Sequence, residues 1–195
     1  MNPLENPWQT NSTREIYNNP WIRVREDQVI RPDGRPGIYG VVEFKNWAIG
    51  IVPVSGDGDT YLVGQYRYTL KDYSWEIPEG GGAIGIAPLE SAQRELLEET
   101  GIQAGHWTYL GEVHTSNSVT DEIGFLFLAQ QLRLGESTPE ETERLEVKRM
   151  PLAEAVQHAL SGEISDSLSV IGLLRAWHFL HRDAGVEMVM RNYPE

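Results

Sequence analysis

One stretch near the middle of the chain constrains it most: Arg94-Glu95-Leu96-Leu97-Glu98-Glu99-Thr100-Gly101-Ile102. It closes a helical pattern from Pro88 to Thr100, with Leu89, Ala92 and Leu96 three and four apart and Gly101 as a natural stop. On that helix Glu95 and Glu99 share a face, and Glu98 lies one turn from Glu95. Like charges at these spacings cost a helix ~0.2–0.5 kcal/mol per pair. A bound divalent cation would reverse that cost, and ligands that are all oxygen suit Mg²⁺ or Mn²⁺. On the three acids alone, a solvated face with an Arg94–Glu98 ion pair is the better reading.

The rest of the chain gives the helix its setting. Met1 to Asn19 is polar and reads as a mostly irregular arm. Trp21 to Ile30 and Ile38 to Phe44 read as strands around the turn Arg31-Pro32-Asp33-Gly34, a hairpin or small sheet ahead of the main domain. Strand patterns follow at Trp47 to Val54, Tyr61 to Arg67, Trp75 to Pro78, Thr108 to His114, Ile123 to Ala129 and Leu145 to Lys148. A polar loop separates the last two. Leu152 to Leu160 and Ser167 to Phe179 read as helices, the second capped by Asp166. This mixed order predicts an α+β sandwich rather than a doubly wound parallel sheet. The predicted division is an N-terminal arm and hairpin over 1–45 and a main domain over 46–195.

Composition narrows the partners. The net charge is −13, with 29 acidic against 16 basic residues, so a nucleic-acid polymer is not expected as a partner. The chain has no cysteine, which excludes thiolate chemistry and disulfides. No apolar run approaches the ~20 residues of a membrane span, and the first residues carry no apolar signal-like stretch. No membrane association is expected, and the cytoplasm is the expected compartment.

The wider pattern decides between the readings of the acidic helix. Gly80, Arg94, Glu95, Leu96, Glu98, Glu99, Gly101 and Ile102 match in register the Nudix box, which reads Gly, five residues, Glu, seven residues, then Arg-Glu-apolar-any-Glu-Glu-any-Gly-apolar. Chance agreement at the fixed Gly, Arg and Glu positions that match is roughly one in ten million. The chain resembles the Nudix hydrolase superfamily. Gln65-Tyr66-Arg67, Trp75-Glu76-Ile77-Pro78 and the segment Gly162 to Ile171 make it similar to the ADP-ribose pyrophosphatase and nucleoside diphosphate sugar hydrolase branch.

That resemblance implies a Nudix α/β/α sandwich behind an N-terminal antiparallel sheet. It implies a homodimer, and Mg²⁺- or Mn²⁺-dependent hydrolysis of a nucleoside diphosphate sugar. ADP-ribose is the first expectation; GDP-mannose or another nucleotide sugar, and a non-catalytic binding domain, are the alternatives. By the same resemblance Glu95, Glu98, Glu99 and the Glu79 carbonyl hold the metal, with Glu98 and Arg94 also counted in the catalytic set. Arg67 contacts the diphosphate, Trp21 and Tyr39 sandwich the base, and Glu122 is a ribose or metal-shell candidate. The water-activating residue falls in the acidic loop with Glu140, Glu141 and Glu143, and register favours Glu143. One box position departs. Ile86 stands where the family has a glutamate that pairs with the box arginine, so Arg94 is either less constrained or paired with Glu90, Glu98 or Glu122 instead.

Overall fold

A computed structural model describes residues 5–135 and 145–181. They fall into two compact units, 1–46 with 114–122, and 47–113 with 123–195.

The first unit is an antiparallel sheet of order β1-β2-β3, built from β1 (Gln9–Asn18), β2 (Ile22–Ile30) and β3 (Pro36–Phe44). The turn between β2 and β3 is the predicted one, with Gly34 at φ +79° and its N–H donating to the Arg31 carbonyl at 2.8 Å. The arm is not irregular: most of it is β1. Its polar side chains gave no alternation to read, because every residue of the strand is exposed and the pairing with β2 is interrupted by two register shifts. Residues 114–122 join this unit along β3. Val42 N–H donates to the Val119 carbonyl at 2.9 Å, Phe44 N–H to Asp121 at 2.8 Å, and the Tyr39 hydroxyl to the Ser118 carbonyl at 2.8 Å.

The second unit has two sheets. One is antiparallel, of order β10-β5-β6, from β5 (Asp59–Arg67), β6 (Asp72–Glu76) and β10 (Glu146–Pro151). The other is mixed, of order β7-β4-β9-β8, from β4 (Asn46–Pro53), β7 (Glu79–Ala83), β8 (Ile102–His114) and β9 (Ile123–Leu134), with β4 and β9 parallel. Parallel neighbours need both faces covered, and their sequences show it. From β4, Ile49 and Ile51 join Ala92 and Leu96 of helix α1 (Pro88–Thr100) in one buried cluster, with Phe125, Phe127 and Ala129 of β9. Val52, Leu126 and Leu128 point the other way. They join Ala155, Val156, Leu168 and Leu173 from helices α2 (Leu152–Ser161) and α3 (Ser167–His181). This is the α/β/α sandwich, with one core on each side of the mixed sheet.

All three helices begin or end on local signals, Gly101 and Asp166 among them as expected. Pro88 opens α1, and Gly101 and Gly162 close α1 and α2 in the left-handed region. Asp166 accepts from the Ser169 N–H at 2.7 Å at the start of α3. Among the described residues no helix is long and apolar enough to cross a membrane.

Candidate active site

The buried face of α1 carries Pro88, Ser91, Ala92, Glu95, Leu96 and Glu99, the three-and-four spacing of a core-facing stripe. Two carboxylates therefore sit on the face that lands on the sheet. Glu99 is 3% exposed and Glu95 9%. Unpartnered buried carboxylates would be costly, and both have partners. An oxygen of Glu99 accepts the Glu79 N–H at 3.0 Å, which ties the end of α1 to the first residue of β7. Glu95 accepts from Arg94 at 2.7 Å and lies directly against Gly80, where any Cβ would overlap its carboxylate. Glycine at 80 is thus a requirement of close approach rather than of backbone conformation.

Arg94 has found other partners for the missing box glutamate. It donates to Glu98 at 2.6 Å, to Glu95 at 2.7 Å and to the Gly81 carbonyl at 2.8 Å, linking α1 to the glycine strand. Burial alone would lower its pKa, but the charges of Glu95 and Glu98 and their hydrogen bonds outweigh it and the net direction is up. Ile86 points largely into solvent. A glutamate there would compete for a guanidinium already bound on three sides. We expect Ile86→Glu to change the turnover number by no more than about twofold, the ~0.5 kcal/mol scale of a surface substitution. Steady-state kinetics on that variant checks this.

A second cluster lies beside the first, where β6 runs into β7. Oxygens of Glu76, Glu79 and Asp166 come within 4.8 Å of one another; Glu95, Glu98 and Glu99 do not form such a group among the described residues. Arg67, at the end of β5, donates from Nε to both Glu76 oxygens at 3.0 Å and from a terminal nitrogen to Glu76 and Glu79. Burial pushes the Glu79 carboxyl well above the usual carboxylate range, with the charges of Asp166 and Glu76 adding to it and Arg67 opposing it. For Arg67, burial acts downward, and the Glu76 hydrogen bond with the charges of Glu79, Glu76 and Asp166 overcomes it, so its pKa rises. The buried Ser169 hydroxyl accepts the Ile77 N–H at 2.9 Å, fastening the strand between Glu76 and Glu79 to α3.

Carboxylate and carbonyl oxygens around a glycine turn form the hard donor set that a small divalent cation takes, with no nitrogen or sulfur among them. The residues fit such an ion. Sequence reasoning gathered Arg67, Glu79, Arg94, Glu95, Glu98 and Glu99, and all lie in the second unit. It missed Glu76 and Asp166 as site residues. The available signal was the Glu76-x-x-Glu79 spacing around Pro78. Trp21, Tyr39 and Glu122 lie in the first unit. Trp21 is 67% exposed, whereas Tyr39 meets the Trp8 ring edge-on at 5.2 Å and Glu122 accepts from Thr115 at 2.5 Å. Trp47 and Trp107 pack on the α1-side core. Glu140, Glu141 and Glu143 lie outside the described residues.

Comparison with known proteins places the chain in a family. Residues 45–169 match the NUDIX domain family, and residues 8–42 match the nucleoside diphosphate sugar hydrolase N-terminal domain. The chain is 34% identical over 174 residues to an ADP-ribose pyrophosphatase of Mycobacterium tuberculosis, covering 87% of this chain and 83% of that protein. It is 31% identical over 161 residues to an ADP-ribose pyrophosphatase of Bacillus subtilis, covering 82% and 86%. Its fold matches the crystal structure of an ADP compounds hydrolase with a TM-score of 0.77 at 22% identity, covering 88% of this chain and 94% of that one. With the box in register, Glu95 and Glu99 buried, Glu95 against Gly80, and the domain match spanning most of the chain, the protein belongs to the Nudix hydrolase family.

Proposed function

We propose that this protein hydrolyses the diphosphate of a nucleoside diphosphate sugar, ADP-ribose before others, to a nucleoside monophosphate and a sugar phosphate. The observation that supports the reading is the pair of buried carboxylates, Glu95 and Glu99, brought by one helix face against the glycine strand, the all-oxygen donor chemistry that a small divalent cation takes. In this reading Glu95, Glu98, Glu99 and the Glu79 carbonyl hold Mg²⁺ or Mn²⁺. Such an ion neutralises diphosphate charge and polarises a phosphoryl oxygen. Arg67 binds the diphosphate with its planar fork, the geometry that phosphate oxygens favour. Arg94 keeps Glu95 and the glycine strand in register. Trp21 and Tyr39 stack on the base, Glu122 contacts the ribose, and Glu143 orients or deprotonates the attacking water. The 34% identity to an ADP-ribose pyrophosphatase supports the choice of substrate.

The division at 45/46 belongs to the same proposal: residues 1–45 serve dimerisation and base contact, residues 46–195 the chemistry. A homodimer in the cytoplasm is the proposed working form. The support is β1, exposed along its whole length, together with the exposed Ile16, Tyr17, Trp21 and Ile38 of the first unit. We expect sedimentation at micromolar concentration to give a dimer, and a monomer there would remove the support for shared base stacking. A panel of nucleotide sugars with Mg²⁺, read by phosphate release through a coupled phosphatase, tests the substrate. The expected result is that ADP-ribose leads the panel; no turnover of any member would overturn the proposal.

A further inference from the structure

Arg67 is held by two carboxyls that are not equivalent. Glu76 receives the guanidinium on both oxygens, and its side chain is only 3% exposed. Glu79 receives on one oxygen the same terminal nitrogen that also reaches Glu76, at 12% exposure. The other Glu79 oxygen, Oε2, is buried and accepts no hydrogen bond from a donor among the described residues, with the Asp166 carboxyl as its neighbour. Asp166 adds a third carboxyl within 4.8 Å, so acid outnumbers base three to one around a single guanidinium. Arg67 itself is one-third exposed and can be reached from solvent. Glu76 is therefore the fixed partner, and Glu79 is the poorly satisfied one that an incoming anion can replace.

We propose that the Glu79 side chain is an internal competitor for the substrate diphosphate: in the free enzyme it shares a terminal nitrogen of Arg67 with Glu76, and it gives that nitrogen up when substrate binds. This rests on the reading of Arg67 as the diphosphate contact. Glu79 acts through Arg67, so it is a positioning residue whose side chain sets substrate affinity. Its backbone carbonyl has a separate duty. When products leave, the carboxyl closes again on the guanidinium, which keeps Arg67 extended between turnovers.

The test is the affinity of a methylene-bridged nucleoside diphosphate sugar analogue, measured by calorimetry with Mg²⁺ and without turnover. We expect Glu79→Ala to bind the analogue about tenfold more tightly than the parent, the scale of one charge-assisted hydrogen bond no longer broken on binding. Glu79→Gln, which keeps an oxygen for Arg67, falls between the two. In kinetics the same gain appears as a lower KM for Glu79→Ala. Arg67→Ala weakens binding, and adding Glu79→Ala to it gives no further change. If Glu79→Ala fails to fold, Glu79→Ser decides by the same criterion. Equal or weaker binding without the carboxyl overturns the inference, as does a gain that persists in the Arg67→Ala background. Parent-like binding by Arg67→Ala alone overturns instead the reading of Arg67 on which it rests.

Discussion

Glu99→Gln is expected to lower the turnover number at least about a hundredfold while the protein stays folded. Glu99 is placed for two jobs on the buried face of α1: its carboxyl stands one turn from Glu95, and it accepts the Glu79 N–H at 3.0 Å. Glutamine has the same shape and keeps an acceptor oxygen for that N–H, so the tie to β7 survives. What disappears is one carboxylate of the proposed cation site. Metal-based charge stabilisation is worth several kcal/mol, and each 1.36 kcal/mol is tenfold in rate. The apo protein should not suffer. Buried like charges are a cost that a cation normally offsets, so removing one leaves the melting temperature in chelator equal or higher. Kinetics and thermal melting on one sample check both halves. A large drop in melting temperature would mean that Glu99 is structural first.

Gly80→Ala is expected to be almost as damaging, by a different route. A methyl group at 80 would occupy the position of the Glu95 carboxylate, so Glu95 or β7 must move. A displacement of about 1 Å in a catalytic group can cost around a hundredfold in rate. Arg94 transmits the disturbance, because it grips Glu95, Glu98 and the Gly81 carbonyl together. The control is Gly56→Ala, in a turn where an added methyl meets nothing within 4 Å and φ is not positive. We expect the control to leave activity and melting unchanged and Gly80→Ala to lose the turnover number. Equal effects of the two substitutions would show that the fit between Gly80 and Glu95 is not what matters.

Local signals carried most of the fold. The stretch from Pro88 to Gly101 declares itself through a start residue, an apolar stripe and a stop, and it forms that helix. The box glutamates were legible because a fixed spacing on a helix fixes their mutual placement. β1 was hidden because its burial pattern has no period: a strand exposed on both faces carries no hydrophobic alternation. β8 and β9 ran further than their apolar cores, reaching Ile102–His114 and Ile123–Leu134, because backbone pairing continues where side chains turn polar. The partners of Arg67 were illegible for another reason. Asp166 is far along the chain from Glu76 and Glu79, and only the packing of α3 against the β6–β7 connection, sealed by the Ser169 hydroxyl on Ile77, brings it there. At Ile86 the sequence posed two outcomes, and the geometry gives the second: Arg94 pairs with Glu98, and also with Glu95, while the isoleucine stays exposed instead of packing.

The central claim is that a divalent cation on the buried face of α1 supports cleavage of a diphosphate. Phosphorus-31 NMR of ADP-ribose incubated with the protein tests it most directly. With Mg²⁺, the paired diphosphate resonances should disappear as two monoester signals, AMP and ribose 5-phosphate, grow in equal amounts, and excess chelator should stop the change at once. Undiminished cleavage in chelator, or a diphosphate signal that persists through prolonged incubation with Mg²⁺ and Mn²⁺, would contradict the account.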